Sequence, residues 1–285
     1  MQLFLRITRP VNLLLTVLTQ LLFYVSASRT ESGISGFDLS NIRLPEAITA
    51  TLACVFVAAG GYVINDIFDK YTDSINKPNT QIAYSHINAK SLYIYYIFLS
   101  ILGLILGFFT GLGMGILCVA IAVLLYFYSS DFKGEYLMGN LLVSLLAGMV
   151  VYIASRGVFE VSKAYFAEYA SIAFFITFAR ELVKDLEDIK GDQAEGHTTF
   201  AITMGAKYTK ILAATMLIIG VAILGIIYYH SKEIVFLLTS AIIALPLMSI
   251  SLIKLRNSKN AEDYNAVSKH LKQLMFLGLL TSLFC

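Results

Sequence analysis

Long apolar stretches separated by short polar segments dominate this chain. A helix that crosses a bilayer needs about 20 mostly apolar residues, and stretches of that kind recur along the sequence. The pattern predicts an all-α polytopic membrane protein with one domain over residues 1–285, because the polar segments 65–89 and 183–206 are too short for a separate soluble domain. The nine predicted transmembrane helices cover residues 11–28, 44–64, 90–110, 113–130, 136–155, 164–182, 207–229, 233–253 and 268–285.

The composition agrees with a membrane setting. Hydrophobic residues make up 58% of the 285 residues and charged residues 14%, whereas average soluble proteins are about 25% charged. A chain with this composition and a mean hydropathy of +0.74 cannot cover a water-facing surface. Its net charge of +2 and its lack of basic patches interleaved with aromatics lead us to expect no nucleic acid partner.

Lysine and arginine are distributed unevenly between the two sides of the predicted bundle. If the N-terminus is cytoplasmic, the cytoplasmic segments hold 16 of these 21 residues and the opposite side holds 5. This positive-inside bias predicts an integral protein of the cell membrane, with both polar segments facing the cytoplasm. The alternative for the first helix is a signal peptide cleaved near Val25-Ser26-Ala27, but Pro10, Asn12 and Gln20 interrupt its apolar run.

An acidic pattern of nine residues occurs twice. Residues 65–73 read N-D-I-F-D-K-Y-T-D and residues 184–192 read K-D-L-E-D-I-K-G-D, so both contain D-x-x-D-x-x-x-D at an offset of 119 residues. Each copy follows a predicted span, the second and the sixth, which run in the same direction. We therefore expect a parallel internal repeat. We call the copies motif one, with Asp66, Asp69 and Asp73, and motif two, with Asp185, Asp188 and Asp192.

The spacing of each motif favours a cation site. Positions i, i+3 and i+7 of a helix fall within about 60° of one another, and two carboxylates about 4 Å apart repel each other by roughly 1–4 kcal/mol. Carboxylate ligands without His or Cys select hard cations, above all Mg²⁺. Two such motifs predict a clamp for a metal-bridged diphosphate. A solvated acidic loop is the alternative, and it explains one copy better than two matched copies.

At these positions the chain resembles the UbiA superfamily of intramembrane prenyltransferases. The superfamily's motifs N-D-x-x-D-x-x-x-D and D-x-x-D-x-x-x-D are matched in full. The residues 76–78 (N-K-P), 128–140 (Y-S-x-x-x-K … G-N) and 9–12 (R-P-x-N) are similar to further signatures of the superfamily. One departure is Thr80-Gln81, where the superfamily often has Arg-Pro after N-K-P. The resemblance implies nine helices around a central cavity, with both motifs on the cytoplasmic side.

The surroundings of motif two are similar to one branch of the superfamily. Residues 180–192 match R-E-x-x-K-D-x-E-D-x-x-G-D, and Gly196, Thr198 and Thr199 follow, as in the digeranylgeranylglycerol phosphate synthase branch. This implies a geranylgeranyl diphosphate donor and a prenylglyceryl phosphate acceptor. The alternatives are an aromatic prenyltransferase of quinone biosynthesis, a membrane terpene cyclase and a divalent-cation or phosphate transporter. A transporter would carry ionisable residues at the membrane midplane, whereas these aspartates lie at helix ends.

The expected reaction is a Mg²⁺-dependent alkyl transfer from a polyprenyl diphosphate within the membrane lipids. The six motif aspartates would hold Mg²⁺, and nearby lysines would neutralise the leaving diphosphate. Tyr126 and Tyr128 are candidates to stabilise an allylic cation with their ring faces. Arg9 and Asn12 are candidates for the acceptor head group. The complete set of candidate substrate-binding residues is Arg9, Asn12, Asn65, Lys77, Tyr128, Ser129, Lys133 and Lys184.

Several other ionisable residues lie near motif two. Lys184 could pair with Glu181 or Asp188 instead of contacting the diphosphate. Glu187 points away from the aspartate face at 100° per residue, so we expect it to be solvated or paired. His197 is a candidate phosphate contact, and Glu168 is expected toward the outer interface.

Overall fold

The computed structural model describes residues 2–28, 39–70, 87–159 and 163–284, and this part of the chain is helical without any β-sheet. The α-helices are α1 (Gln2–Ile7), α2 (Pro10–Ala27), α3 (Leu44–Phe68), α4 (Ala89–Thr110), α5 (Leu112–Phe127), α6 (Met138–Ile153), α7 (Lys163–Ala194), α8 (Phe200–Ser231), α9 (Ile234–Thr239), α10 (Leu245–Asn257) and α11 (Ala261–Leu279). A π-helical turn, Tyr128–Phe132, extends α5, and a second, Ser240–Ala244, joins α9 to α10.

Seven helical segments in the described ranges are long and apolar enough to cross a membrane. They are α2, α3, α4, α5 with its π turn, α6, α8, and the segment from α9 to α10. The predicted spans 164–182 and 268–285 fall on α7 and α11, which are helical but carry more charged residues. The all-α membrane architecture is therefore confirmed, while the count of nine spans stays a prediction.

Local sequence explains where several helices begin. Pro10 and Pro45 occupy the first turns of α2 and α3, where a missing N–H costs nothing. The Asn88 side chain accepts a hydrogen bond from the backbone N–H of Lys90 at the start of α4. Gly111 separates α4 from α5 with a φ of 145°, a conformation that favours glycine.

Small residues bring the helices into close contact. A Cβ added at Gly148 of α6 would lie 2.8 Å from the backbone oxygen of Ala170 on α7, and one added at Gly103 of α4 would lie 2.7 Å from the Val57 side chain on α3. Membrane helices commonly approach through such residues, because dispersion contacts must supply the packing energy. The largest group of buried side chains surrounds α7, which packs against α6, α8 and α11.

Large apolar side chains cover the outer surface of the bundle. Phe109 on α4 is 78% exposed and Ile242 is 72% exposed, and Ile97, Phe98 and Ile101 are exposed on α4 as well. Such a continuous apolar surface is suited to lipid contact.

The polar side chains gather at one end of the bundle. There the C-terminal end of α3 meets the N-terminal ends of α2, α6 and α11, and the 32-residue helix α7 continues past them with its charged half. The π turn after α5 lies at the same end, and Lys133 follows it directly.

Candidate active site

A cavity of about 630 Å³ lies inside the bundle. Apolar side chains such as Leu15, Val57, Ile121, Val150 and Met275 form much of its wall. Its charged and amide lining consists of Arg9, Asn12, Asn65, Asp66, Asp69, Lys133, Asn140, Arg180, Glu181, Lys184, Asp185, Asp188, Asp192 and Lys272. The cavity therefore joins a chamber for a hydrocarbon chain to a charged end.

The two described aspartates of motif one are each paired with a cation. Helix α3 ends at Phe68, so Asp66 lies in its last turn and Asp69 caps it. Asp66 accepts a hydrogen bond of 2.7 Å from Nη2 of Arg9. Asp69 forms an ion pair with Lys133 and accepts a hydrogen bond from the Asn65 amide.

Part of motif one and of its neighbourhood falls outside the described residues. This applies to Asp73, to the N-K-P segment with Lys77, and to Thr80-Gln81. We expected the three carboxylates of motif one to share one helix face. Of these three, the structure describes Asp66 and Asp69.

Motif two lies on an unbroken stretch of α7, as the spacing requires. Asp185, Asp188 and Asp192 all line the cavity, opposite motif one. Asp185 accepts a hydrogen bond of 2.8 Å from the Asn140 amide on α6. Burial raises the pKa of Asp185 to about 8, and burial together with the charge of Asp188 raises the pKa of Asp192. Burial on this wall therefore makes the ionised form of both carboxylates more costly than in water.

Basic side chains beside motif two are bridged by one buried carboxylate. Glu181 accepts a hydrogen bond of 2.7 Å from Nη1 of Arg180 and one of 3.2 Å from Nζ of Lys184. The predicted pairing of Lys184 with Glu181 is confirmed, and Lys184 also lines the cavity. The expectation for Glu187 holds too, since it accepts a hydrogen bond from the Asn265 amide.

Two residues predicted at the site do not line the cavity. The Ser129 hydroxyl donates to the backbone oxygen of Leu125, 2.9 Å away within the helix. Tyr126 is 40% exposed, and its ring contacts those of Phe68 and Phe127. Tyr128, in contrast, lines the cavity.

The structure also places histidine and glutamate candidates. Nδ1 of His197 lies 3.4 Å from Oδ1 of Asp192, and Nε2 lies 3.2 Å from Glu195. His197 is thus a neighbour of motif two rather than part of the cavity lining. Glu168, near the opposite end of α7, pairs with His230 at 2.5 Å, away from both motifs.

Sequence reasoning assigned no role to several cavity residues. Tyr62 lies one turn before Asp66, and the Arg9 guanidinium stands 5.0 Å above the centre of its ring. The i to i+4 spacing from Asp66 could have indicated it. Nζ of Lys272 donates to Oδ1 of Asn12 at 2.5 Å. These two residues are 260 positions apart, so no local pattern could reveal their contact.

The donor set at the charged end fits Mg²⁺. Among the residues that the structure describes, no three His, Cys, Asp or Glu side chains are close enough to enclose a metal ion. The ligands available on the two cavity walls are carboxylate and amide oxygens. Mg²⁺ typically takes one or two carboxylates and completes its shell with waters and substrate phosphates, without an all-protein cage. The arrangement suits that mode of binding.

Comparison with known proteins agrees with this architecture. The model of the UbiA prenyltransferase family matches residues 35–280. A digeranylgeranylglyceryl phosphate synthase of Methanobrevibacter smithii is 32% identical over 285 aligned residues, which cover 97% of this chain and 95% of the relative.

Two solved structures are similar over nearly the whole chain. One, from work on digeranylgeranylglyceryl phosphate synthase in membranes, has a TM-score of 0.75 and 27% identity, and the match covers 99% of this chain and 96% of the other. A UbiA homologue of Archaeoglobus fulgidus bound to GPP and Mg²⁺ has a TM-score of 0.69 and 18% identity, with 98% and 99% covered.

Apolar helices around a cavity that carries two acidic motifs define an integral membrane protein with an internal site for an amphipathic substrate. Both the family match and the identity to relatives extend over most of the sequence. The chain belongs to the UbiA prenyltransferase family and is a membrane prenyltransferase.

Proposed function

We propose that this enzyme transfers a geranylgeranyl group from its diphosphate to the hydroxyl of a prenylglyceryl phosphate, in a reaction that requires Mg²⁺. Support comes above all from the cavity, in which two facing aspartate motifs adjoin an apolar chamber. The similarity to the digeranylgeranylglyceryl phosphate synthase of Methanobrevibacter smithii favours this acceptor. The Archaeoglobus fulgidus homologue with GPP and Mg²⁺ favours the metal.

The charged end would bind the diphosphate. The described motif aspartates, together with Asp73, would hold Mg²⁺, which supplies charge stabilisation to the leaving diphosphate. Asn65 and Asn140 orient carboxylates of the two motifs through hydrogen bonds. Lys133 and Lys184 line the cavity beside the motifs, where their ammonium groups offset the charge that develops on the leaving group.

The apolar wall would hold the prenyl chain. Each CH₂ group kept out of water contributes about 0.8 kcal/mol, so a long isoprenoid favours an apolar cavity that opens from the bilayer over any water-filled site. A dry wall also keeps water away from the allylic carbon when its bond to the diphosphate oxygen breaks. The acceptor hydroxyl oxygen then bonds to that carbon, and its proton passes to an oxygen of the departing diphosphate as the ether forms. Tyr128 lines the cavity, where its ring would stabilise the allylic cation.

Diphosphate release tests this proposal directly. Purified protein in lipid is given geranylgeranyl diphosphate and Mg²⁺ with geranylgeranylglyceryl phosphate, 4-hydroxybenzoate or dihydroxynaphthoate. We expect release only with the glyceryl phosphate, and loss of release with EDTA, Asp69→Asn or Asp188→Asn. Asp131→Asn is the matched control, since Asp131 is exposed and does not line the cavity. Release that requires an aromatic acceptor would identify the quinone branch instead, and cyclised product without any acceptor would identify a cyclase.

A further inference from the structure

Three basic side chains from distant parts of the chain converge on the cavity outside the two aspartate motifs. Arg9 precedes α2, Arg180 lies on α7 and Lys272 lies on α11, and all three line the cavity. They are close enough for both guanidinium groups to repel the Lys272 ammonium. We call Arg9, Arg180, Lys272 and the adjoining Asn12 the basic cluster.

Positive charge in the basic cluster is only partly compensated. Arg9 is paired with Asp66 and Arg180 with Glu181. Lys272 donates to the neutral amide oxygen of Asn12, and no carboxylate pairs with it in the described ranges. Nε of Arg180 is buried and has no hydrogen-bond partner there either. A partly buried ammonium and an unused buried N–H are costly unless they meet an acceptor, and an anion would satisfy both.

The basic cluster is distinct from the cations that face the diphosphate. Lys133 contacts Asp69 of motif one, and Lys184 directly precedes Asp185 of motif two. Lys272 and Asn12 instead belong to α11 and α2 and are hydrogen-bonded to each other. The Asn12 backbone N–H donates to the backbone oxygen of Arg9, whose side chain pairs with Asp66 of motif one. The cavity therefore offers a second anion site next to the first, as a reaction between two phosphorylated lipids requires.

We infer that Lys272, Asn12 and Arg180 bind the phosphate monoester of the acceptor, an inference that rests on the proposed function. Ammonium and guanidinium groups form strong, charge-assisted hydrogen bonds with phosphate oxygens. The Asn12 amide can donate a further hydrogen bond from its NH₂ group while its oxygen accepts from Lys272. A phosphate held there leaves the glycerol hydroxyl beside motif one, where the diphosphate departs.

Acceptor and donor kinetics of Lys272→Met test this site. We expect the KM for geranylgeranylglyceryl phosphate to rise at least tenfold, while the KM for geranylgeranyl diphosphate stays within twofold. Lys272→Arg keeps the charge and should recover most of the acceptor affinity. Lys269→Met is the matched control, because Lys269 lies one turn away on α11, is exposed and does not line the cavity.

The phosphate itself can be isolated as the recognised group. Wild-type protein should have a higher kcat/KM for geranylgeranylglyceryl phosphate than for the unphosphorylated geranylgeranylglycerol. Lys272→Met should lower the ratio of these two values by about the same factor by which it raises the KM for geranylgeranylglyceryl phosphate. The acceptor site would be overturned if Lys272→Met kept the wild-type preference for the phosphorylated acceptor, or if it raised the KM values for donor and acceptor equally. Either result would leave the transferase proposal standing.

Binding without donor separates the two proposals. Native mass spectrometry in lipid discs would measure geranylgeranylglyceryl phosphate bound to wild type, to Lys272→Met and to Lys269→Met. Binding lost only in Lys272→Met supports the site even if no product forms, in which case the proposed function alone fails. Equal binding by all three proteins overturns the site. If Lys272→Met does not fold, Lys272→Gln replaces it in both measurements.

Discussion

At the scale of single residues, Lys133 has two tasks. It pairs with the buried Asp69, and it lines the cavity where the diphosphate would leave. We predict that Lys133→Met lowers diphosphate release at saturating substrates about 100-fold, which corresponds to about 2.7 kcal/mol of transition-state stabilisation. Lys190→Met, an exposed lysine on α7, should leave the rate unchanged. A Lys133→Met rate within twofold of wild type would show that this charge takes no part in the reaction.

Asn140 supports motif two rather than the substrate. Its amide donates to the buried Asp185. We predict that Asn140→Ala destabilises the protein by about 1–3 kcal/mol, because a buried carboxylate loses its partner. Thermal unfolding in detergent would show a lower Tm, whereas Asn257→Ala, at an exposed helix end, should not shift it. An unchanged Tm in both variants would mean that water replaces the amide freely.

The contacts of the site that join distant residues could not be predicted from the sequence. The motif aspartates were found through their spacing, which repeats in two segments. The Arg9–Asp66 bond joins residues 57 positions apart, and the Asn140–Asp185 bond joins residues 45 positions apart. Such contacts depend on how helices pack, and no periodicity within one helix encodes that packing. Lys272 was missed for the same reason, since its partner Asn12 lies 260 positions away.

At the scale of helices, the packing of α6 against α7 leaves no room for a side chain at Gly148. A Cβ there would lie 2.8 Å from a backbone oxygen, which cannot move aside as a flexible side chain could. We predict that Gly148→Ala lowers the Tm, with a cost of about 1–3 kcal/mol for the forced separation. Gly225→Ala on α8 is the control, since a Cβ there meets nothing within 4 Å. Its Tm should stay level or rise, because alanine favours a helix by about 1 kcal/mol.

The hydrophobic pattern predicted the positions of the helices well, but it predicted their ends less well. The predicted span 164–182 belongs to a helix that continues to Ala194, because tertiary contacts bury Leu186 and Gly191 in its polar half. Apolar windows cannot detect such a continuation. In motif one, α3 ends at Phe68 and Asp69 caps it, so the two described aspartates of this motif lie at a helix C-terminus.

At the scale of the whole molecule, charge distribution predicts which end faces the cytoplasm. Lys259 follows α10 at the end that carries the motifs, and Lys163 begins α7 at the other end. We predict that a membrane-impermeant maleimide labels Lys259→Cys only in inside-out vesicles and Lys163→Cys only in right-side-out vesicles. Both variants carry Cys285→Ser, and the unsubstituted parent reports any labelling of the buried Cys54 and Cys118. The reverse pattern would invert the topology.

The length of α7 has a kinetic consequence. At 1.5 Å per residue its 32 residues extend about 48 Å, whereas the hydrocarbon core of a bilayer is about 30 Å thick. If α7 begins at one membrane surface, motif two, near its C-terminal end, would stand at the depth of the opposite lipid head groups. The phosphates of the two proposed substrates would already reside there, so neither substrate would have to leave the bilayer to react. Turnover should then follow the mole fraction of each lipid in the membrane, so that adding inert lipid at constant bulk concentration slows the enzyme by surface dilution.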